Sequence, residues 1–139
     1  MTASTPLHTG GCGCGAVRFE IDAPLLSASW CHCTRCQHRT GTAAAPSARI
    51  TPDSLRIVQG EDRIRRWQPE GGYPKAFCGD CGSHLYSEYP AGGVAGVRFA
   101  AFDEDPGIRP QWRQYVAYAA SWDPIPDDGL PRYPEARPA

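Results

Sequence analysis

Apolar and polar residues alternate along this chain in short runs, without a sustained helical period. Ala16-Val17-Arg18-Phe19-Glu20-Ile21 alternates apolar and polar residues from Val17 onward, which predicts a half-buried strand that Pro24 ends. Leu26 to Trp30 predicts a second strand, and Leu55 to Val58 a third after the turn signal Thr51-Pro52-Asp53. Gly60 to Asp62 turns into Arg63 to Trp67, and Pro74 to Phe77, His84 to Tyr89, Gly96 to Ala100 and Tyr115 to Tyr118 are further strand candidates. Gln37 to Gly41 reads as a helical turn closed by its glycine. Pro69 to Gly72 and Pro90 to Gly93 are loops. Ala43 to Ile50 fits neither period. Met1 to Gly10 is polar and expected to fray, and the five prolines from Asp123 to Ala139 predict an extended tail. Short strands dominate, so the expected class is mainly β.

Length and composition narrow the picture. A chain of 139 residues fits one domain, and 41% hydrophobic residues can build a core. Trp30, Trp67, Trp112 and Trp122 are its simplest large members, with Trp30 also placed to wall a pocket. The formal net charge of −1 gives no support to a nucleic-acid or anionic membrane surface. No apolar run reaches the roughly 20 residues of a membrane-spanning helix. Met1 to Thr9 carries no signal-peptide pattern, so the expected compartment is the cytoplasm.

That compartment keeps thiols reduced, which changes the meaning of the seven cysteines. They stand in three clusters: Cys12-Gly13-Cys14, Cys31-His32-Cys33-Thr34-Arg35-Cys36 and Cys78-Gly79-Asp80-Cys81. Thiols one or two residues apart can turn toward a common point, and zinc suits four such donors. Cys12, Cys14, Cys78 and Cys81 therefore predict a closed structural zinc site joining two distant segments. Cys31, Cys33 and Cys36 remain. They fit a second structural zinc completed by His32, His38 or His84, a metal-free thiol cluster, or a zinc with one position open to a ligand. A dithiol switch fits less well, because no βαβ pattern surrounds the pair Cys31 and Cys33. In the open case zinc would act as a Lewis acid, and three thiolates would suit it to carrying a soft thiolate.

The motifs resemble a known family. Gly10-Gly11-Cys12-Gly13-Cys14-Gly15-Ala16-Val17-Arg18-Phe19, the Cys31 to Cys36 cluster followed by Gly41, and Phe77-Cys78-Gly79-Asp80-Cys81-Gly82-Ser83-His84-Leu85-Tyr86 are similar to the three motifs of the glutathione-dependent formaldehyde-activating enzyme family, the GFA/CENP-V domain. Phe102 to Pro106 and Trp122 to Ile125 continue the likeness. The resemblance implies a Mss4-like fold of small antiparallel sheets held by zinc. It implies a domain over residues 10–126 between a flexible start (1–9) and a proline-rich tail (127–139). It implies that Cys12, Cys14, Cys78 and Cys81 bind structural zinc, and that Cys31, Cys33 and Cys36 bind the active-site zinc and are catalytic. The implied activity is that of a carbon–sulfur lyase, forming or breaking an adduct between a glutathione-like thiol and formaldehyde or a related aldehyde. The alternative is a non-catalytic zinc module that carries a thiol or binds a protein. Gln37, Ala44 and Tyr115 stand where the family often has Arg, an aromatic residue and His. For the polar roles, His32 or His38 could move the proton, and Arg35 or Arg39 could pair with a substrate carboxylate.

Overall fold

A computed structural model describes residues 5–139. The described residues form ten strands and one short α-helix, besides 3-10 turns: β1 (His8–Gly11), β2 (Arg18–Ile21), β3 (Leu25–Cys31), α1 (Thr34–Thr40), β4 (Ala45–Ile50), β5 (Leu55–Gln59), β6 (Ile64–Trp67), β7 (Lys75–Cys78), β8 (His84–Glu88), β9 (Val94–Arg98) and β10 (Arg113–Gln114). A three-stranded sheet has the order β1-β2-β5. A seven-stranded sheet has the order β10-β3-β4-β9-β8-β7-β6. Every pairing between strands is antiparallel except β10 with β3. The class is mainly β with antiparallel sheets, as expected.

The alternation in β2 sends Phe19 and Ile21 inward and leaves Arg18 and Glu20 half-buried. Phe19 and Ile21 from the small sheet, with Val17 just ahead of β2, join Ile50, Leu85 and Val97 from the large one in a single core cluster. Cys12 and Cys78 belong to the same cluster. The first and third thiol motifs are thus anchored in the core that unites the two sheets.

Several expectations change. Residues 1–4 of the expected frayed start lie outside the described residues. His8 to Gly11, however, pair with Ile21 to Arg18 as a strand, because β2 offers them its free edge. Ala45 to Ile50 is a strand between β3 and β9. Its buried positions hold Ala45, Ala48 and Ile50, too small a set to show a period. Trp67 and Trp122 are exposed rather than core.

Tyr115 to Tyr118 is not a strand. Tyr115 takes a left-handed conformation (φ 57°), and Val116–Tyr118 forms a 3-10 turn. The proline-rich tail provides the reason. Tyr115 N–H donates to Glu135 O (3.0 Å) and Val116 N–H to Tyr133 O (3.0 Å). The tail therefore lies on the surface against residues 113–118.

Arg113 clamps that tail. Its side chain is 7% exposed, donates to Asp128 Oδ2 (2.9 Å) and His32 Nε2 (3.1 Å), and lies over the Trp30 ring. The guanidinium holds the Asp128 carboxyl below its usual pKa. The clamp's contribution is therefore present above the free carboxyl's pKa and is lost as the pH falls through the depressed folded value. Arg113→Met is expected to lower stability by about 2 kcal/mol, the scale of losing hydrogen bonds to a charged group. Urea unfolding at neutral pH checks the loss, and the difference from wild type should shrink in acid.

Candidate metal centres

Two tight turns carry the four-thiol group. Gly15 N–H donates to Cys12 O (3.2 Å), and Gly82 N–H to Cys78 O (2.8 Å), so each turn folds its thiols to one side. Gly82 sits at φ 80°, a conformation that glycine adopts without strain. Ser83 Oγ accepts from Gly13 N–H (2.9 Å) and ties the turns together. The four sulfurs lie within 4.8 Å of one another. Cys12 and Cys14 Sγ are 3.6 Å apart, and Cys14 and Cys78 Sγ 3.9 Å. A tetrahedral zinc with sulfurs at about 2.3 Å spaces them about 3.8 Å apart, so the donors fit that ion in number, type and spacing.

Their acidities point the same way. Ser83, by its hydroxyl and its amide, draws the Cys81 thiol down to about 6. The Ala16 amide pulls on Cys14, yet hydrogen bonds with Cys12 and Cys81 outweigh it and push Cys14 up to about 12. Thiols this close share their protons. All four ionise together only around a cation.

The second group is built from the end of β3 and the start of α1. Cys33 is the helix N-cap, and its Sγ accepts from Cys36 N–H (3.2 Å). Gly41 closes the helix at φ 70°. Cys31, Cys33 and Cys36 bring their sulfurs within 4.8 Å of one another, and all three are half-buried. Hydrogen bonds with Cys33 and Cys36, then burial, push the Cys31 thiol far up. Hydrogen bonds from Cys31 and Cys33, with help from the Arg98 charge, draw Cys36 down to about 2. The group offers three soft donors, which fit zinc and leave a fourth position to another ligand. Neither His32, His38 nor His84 belongs to it.

Two connected spaces meet these thiols. An inner cavity of about 220 Å³ touches Cys31, Cys36, Arg39, Lys75, His84 and Arg98. An open cleft of about 1050 Å³ touches Cys31, Cys33, Cys36, Arg35, Tyr115 and the tail at Arg137. Trp112 walls both. A third space, a groove of about 1010 Å³, runs past Trp30, His32, Ala44 and Asp123 and shares Arg39, His84 and Arg98 with the inner cavity. The two proton-shuttle expectations fail on placement. His32 is buried on the groove side and accepts from Arg113, and His38 is exposed and lines none of these spaces. Burial first, then Arg39 and Arg98, lower His84 to about 4, so it is neutral near pH 7. Gln37 serves as a tie, donating to His32 O (2.8 Å) and Tyr118 O (2.9 Å).

Comparison with known proteins gives the architecture a family. The model of the family described as "Glutathione-dependent formaldehyde-activating enzyme" matches residues 7–118. The chain belongs to this family. The match starts before the first thiol motif and ends at the 3-10 turn, so it spans all seven cysteines of this GFA chain. A crystal structure of a Rhodobacter sphaeroides protein is similar to it, with 26% identity and a TM-score of 0.55 over 90% of this chain and 98% of that one. No helix is long and apolar enough to cross a membrane. Sequence motifs located the GFA thiols but missed Lys75, Arg98 and Trp112. These reach the site only through strand order and the tail, and no local pattern marks them.

Proposed function

We propose that the protein is a zinc-dependent carbon–sulfur lyase that forms or breaks an adduct between a glutathione-like thiol and formaldehyde or a related small aldehyde. The observation that carries this reading is the three-thiol group of Cys31, Cys33 and Cys36, open to a cleft beside a separate four-thiol group. Cys12, Cys14, Cys78 and Cys81 would hold a structural zinc, and Cys31, Cys33 and Cys36 a catalytic one. When bound at the second group, zinc lowers the pKa of an incoming thiol and holds it as a thiolate.

The chain's own residues then do the rest. Trp112 and the inner cavity shield the reacting atoms from part of the solvent. The new bond joins the thiol sulfur to the aldehyde carbon, and the carbonyl oxygen takes up the proton that the thiol lost. Tyr115 lines the cleft with Cys33. Burial first, then negative charge on Cys31 and Cys33, push its phenol above the usual range. It stays protonated and can donate to the oxygen of the adduct. Its left-handed backbone is the kind of local strain that surrounding structure sustains at functional sites. A cytoplasmic location suits thiols kept reduced.

The test is adduct exchange. Zinc-loaded protein mixed with glutathione and formaldehyde should speed interconversion with S-hydroxymethylglutathione, read by NMR exchange spectroscopy. Exchange at the rate of protein-free solution, with both thiol groups metal-loaded, would favour the non-catalytic zinc module instead.

A further inference from the structure

The inner cavity carries charge that formaldehyde does not call for. Among the described residues Arg18, Arg56, Arg63, Arg66, Arg109 and Arg113 each meet a carboxylate. Arg39, Arg49, Arg98 and Lys75 line the cavity and meet none. Arg98 donates to the Ser47 hydroxyl (3.1 Å) and faces the Cys36 thiol, and Arg49 donates to the Tyr89 hydroxyl (2.6 Å). Neither Asp nor Glu lines the cavity or the adjoining cleft, and Asp123, which lines the groove on the far side of Arg39 and Arg98, forms an ion pair with neither. Trp112 adds a donor without an acceptor, since its Nε1 is buried and unpartnered.

The thiols answer only part of this charge. Three thiolates around a divalent ion leave one negative charge, and a bound thiolate adds a second. Four cations, Arg39, Arg49, Lys75 and Arg98, line the cavity against them. Holding half-buried like charges together is unfavourable unless a ligand compensates. The cavity, at about 220 Å³, is below the roughly 300 Å³ at which sites for drug-sized ligands begin, so it suits a short arm. Guanidinium and indole N–H groups are donors matched to a carboxylate.

We propose that the inner cavity is an anion seat, and that the ligand reacting at Cys31, Cys33 and Cys36 carries a carboxylate on a short arm, supplied by the thiol or by the aldehyde. This rests on the open three-thiol reading above and narrows its substrate class.

Calorimetric titration of the zinc-loaded protein with 3-mercaptopropionate, neutral 2-mercaptoethanol and thiol-free glyoxylate separates the cases. An acidic thiol predicts that 3-mercaptopropionate binds roughly tenfold tighter than 2-mercaptoethanol, the value of one charge-assisted hydrogen bond. An acidic aldehyde predicts that glyoxylate binds while the two thiols match. In either case Arg39→Gln and Lys75→Met should each erode the gain at unchanged zinc content and melting temperature. Equal binding of both thiols with no glyoxylate binding overturns the anion seat and leaves the open thiol site standing. So does a gain that survives both substitutions. Glyoxylate binding without either thiol keeps the seat and removes the thiol reading. Silence from all three removes both.

Discussion

Serine at Cys78 is expected to unfold the protein. Cys78 is fully buried, ends β7, and lies in the core cluster that joins the two sheets. Its sulfur sits 3.9 Å from that of Cys14, which comes from the opposite end of the chain's β core. Losing it takes one donor from a four-thiol set and buries a hydroxyl among apolar side chains. Structural zinc in small domains contributes about 10–16 kcal/mol, whereas a whole domain is stable by about 5–15 kcal/mol. Even a fraction of the metal term therefore exceeds what the fold has in reserve. Circular dichroism should show no cooperative melt for Cys78→Ser, and a strong chelator should bring the wild type to the same state. A variant melting like wild type would mean that the four thiols hold nothing the fold depends on.

Serine at Cys33 should do the opposite, removing function and sparing structure. Cys33 caps α1 through its side chain, and serine is among the best residues for that position. The helix, the Gln37 ties and the strand pairing of β3 lose no partner. What disappears is one of three soft donors facing the cleft. Adduct exchange is expected to fall to the uncatalysed rate, with a melting temperature within a few degrees of wild type, as for a change of about 1 kcal/mol. Unfolding of Cys33→Ser would instead assign this group a structural role.

The contrast between these two variants was legible in the sequence, because thiols one or two residues apart report their own convergence. The division into four and three followed from zinc's preference for four donors. Other features were hidden for physical reasons. β4 reads as no element because its neighbours on both sides leave its buried positions to Ala45 and Ala48. Tyr115-Val116-Ala117-Tyr118 is a short apolar run that reads as a strand, yet hydrogen bonds to the tail hold Tyr115 left-handed. His8 to Gly11 looks like a loose start, and only the free edge of β2 makes it a strand. The cations of the inner cavity come from α1, β4, β7 and β9, elements brought together around the large sheet. Local pattern finds donors that are neighbours in sequence. It does not find those that meet only in the folded chain.

Zinc per chain in the purified, folded protein tests the central claim most directly. Two sulfur groups, one complete and one a donor short, predict two equivalents, falling to one in Cys33→Ser without loss of the melt. A single equivalent in wild type that Cys33→Ser leaves untouched would contradict the account, since the cleft thiols would then hold no metal.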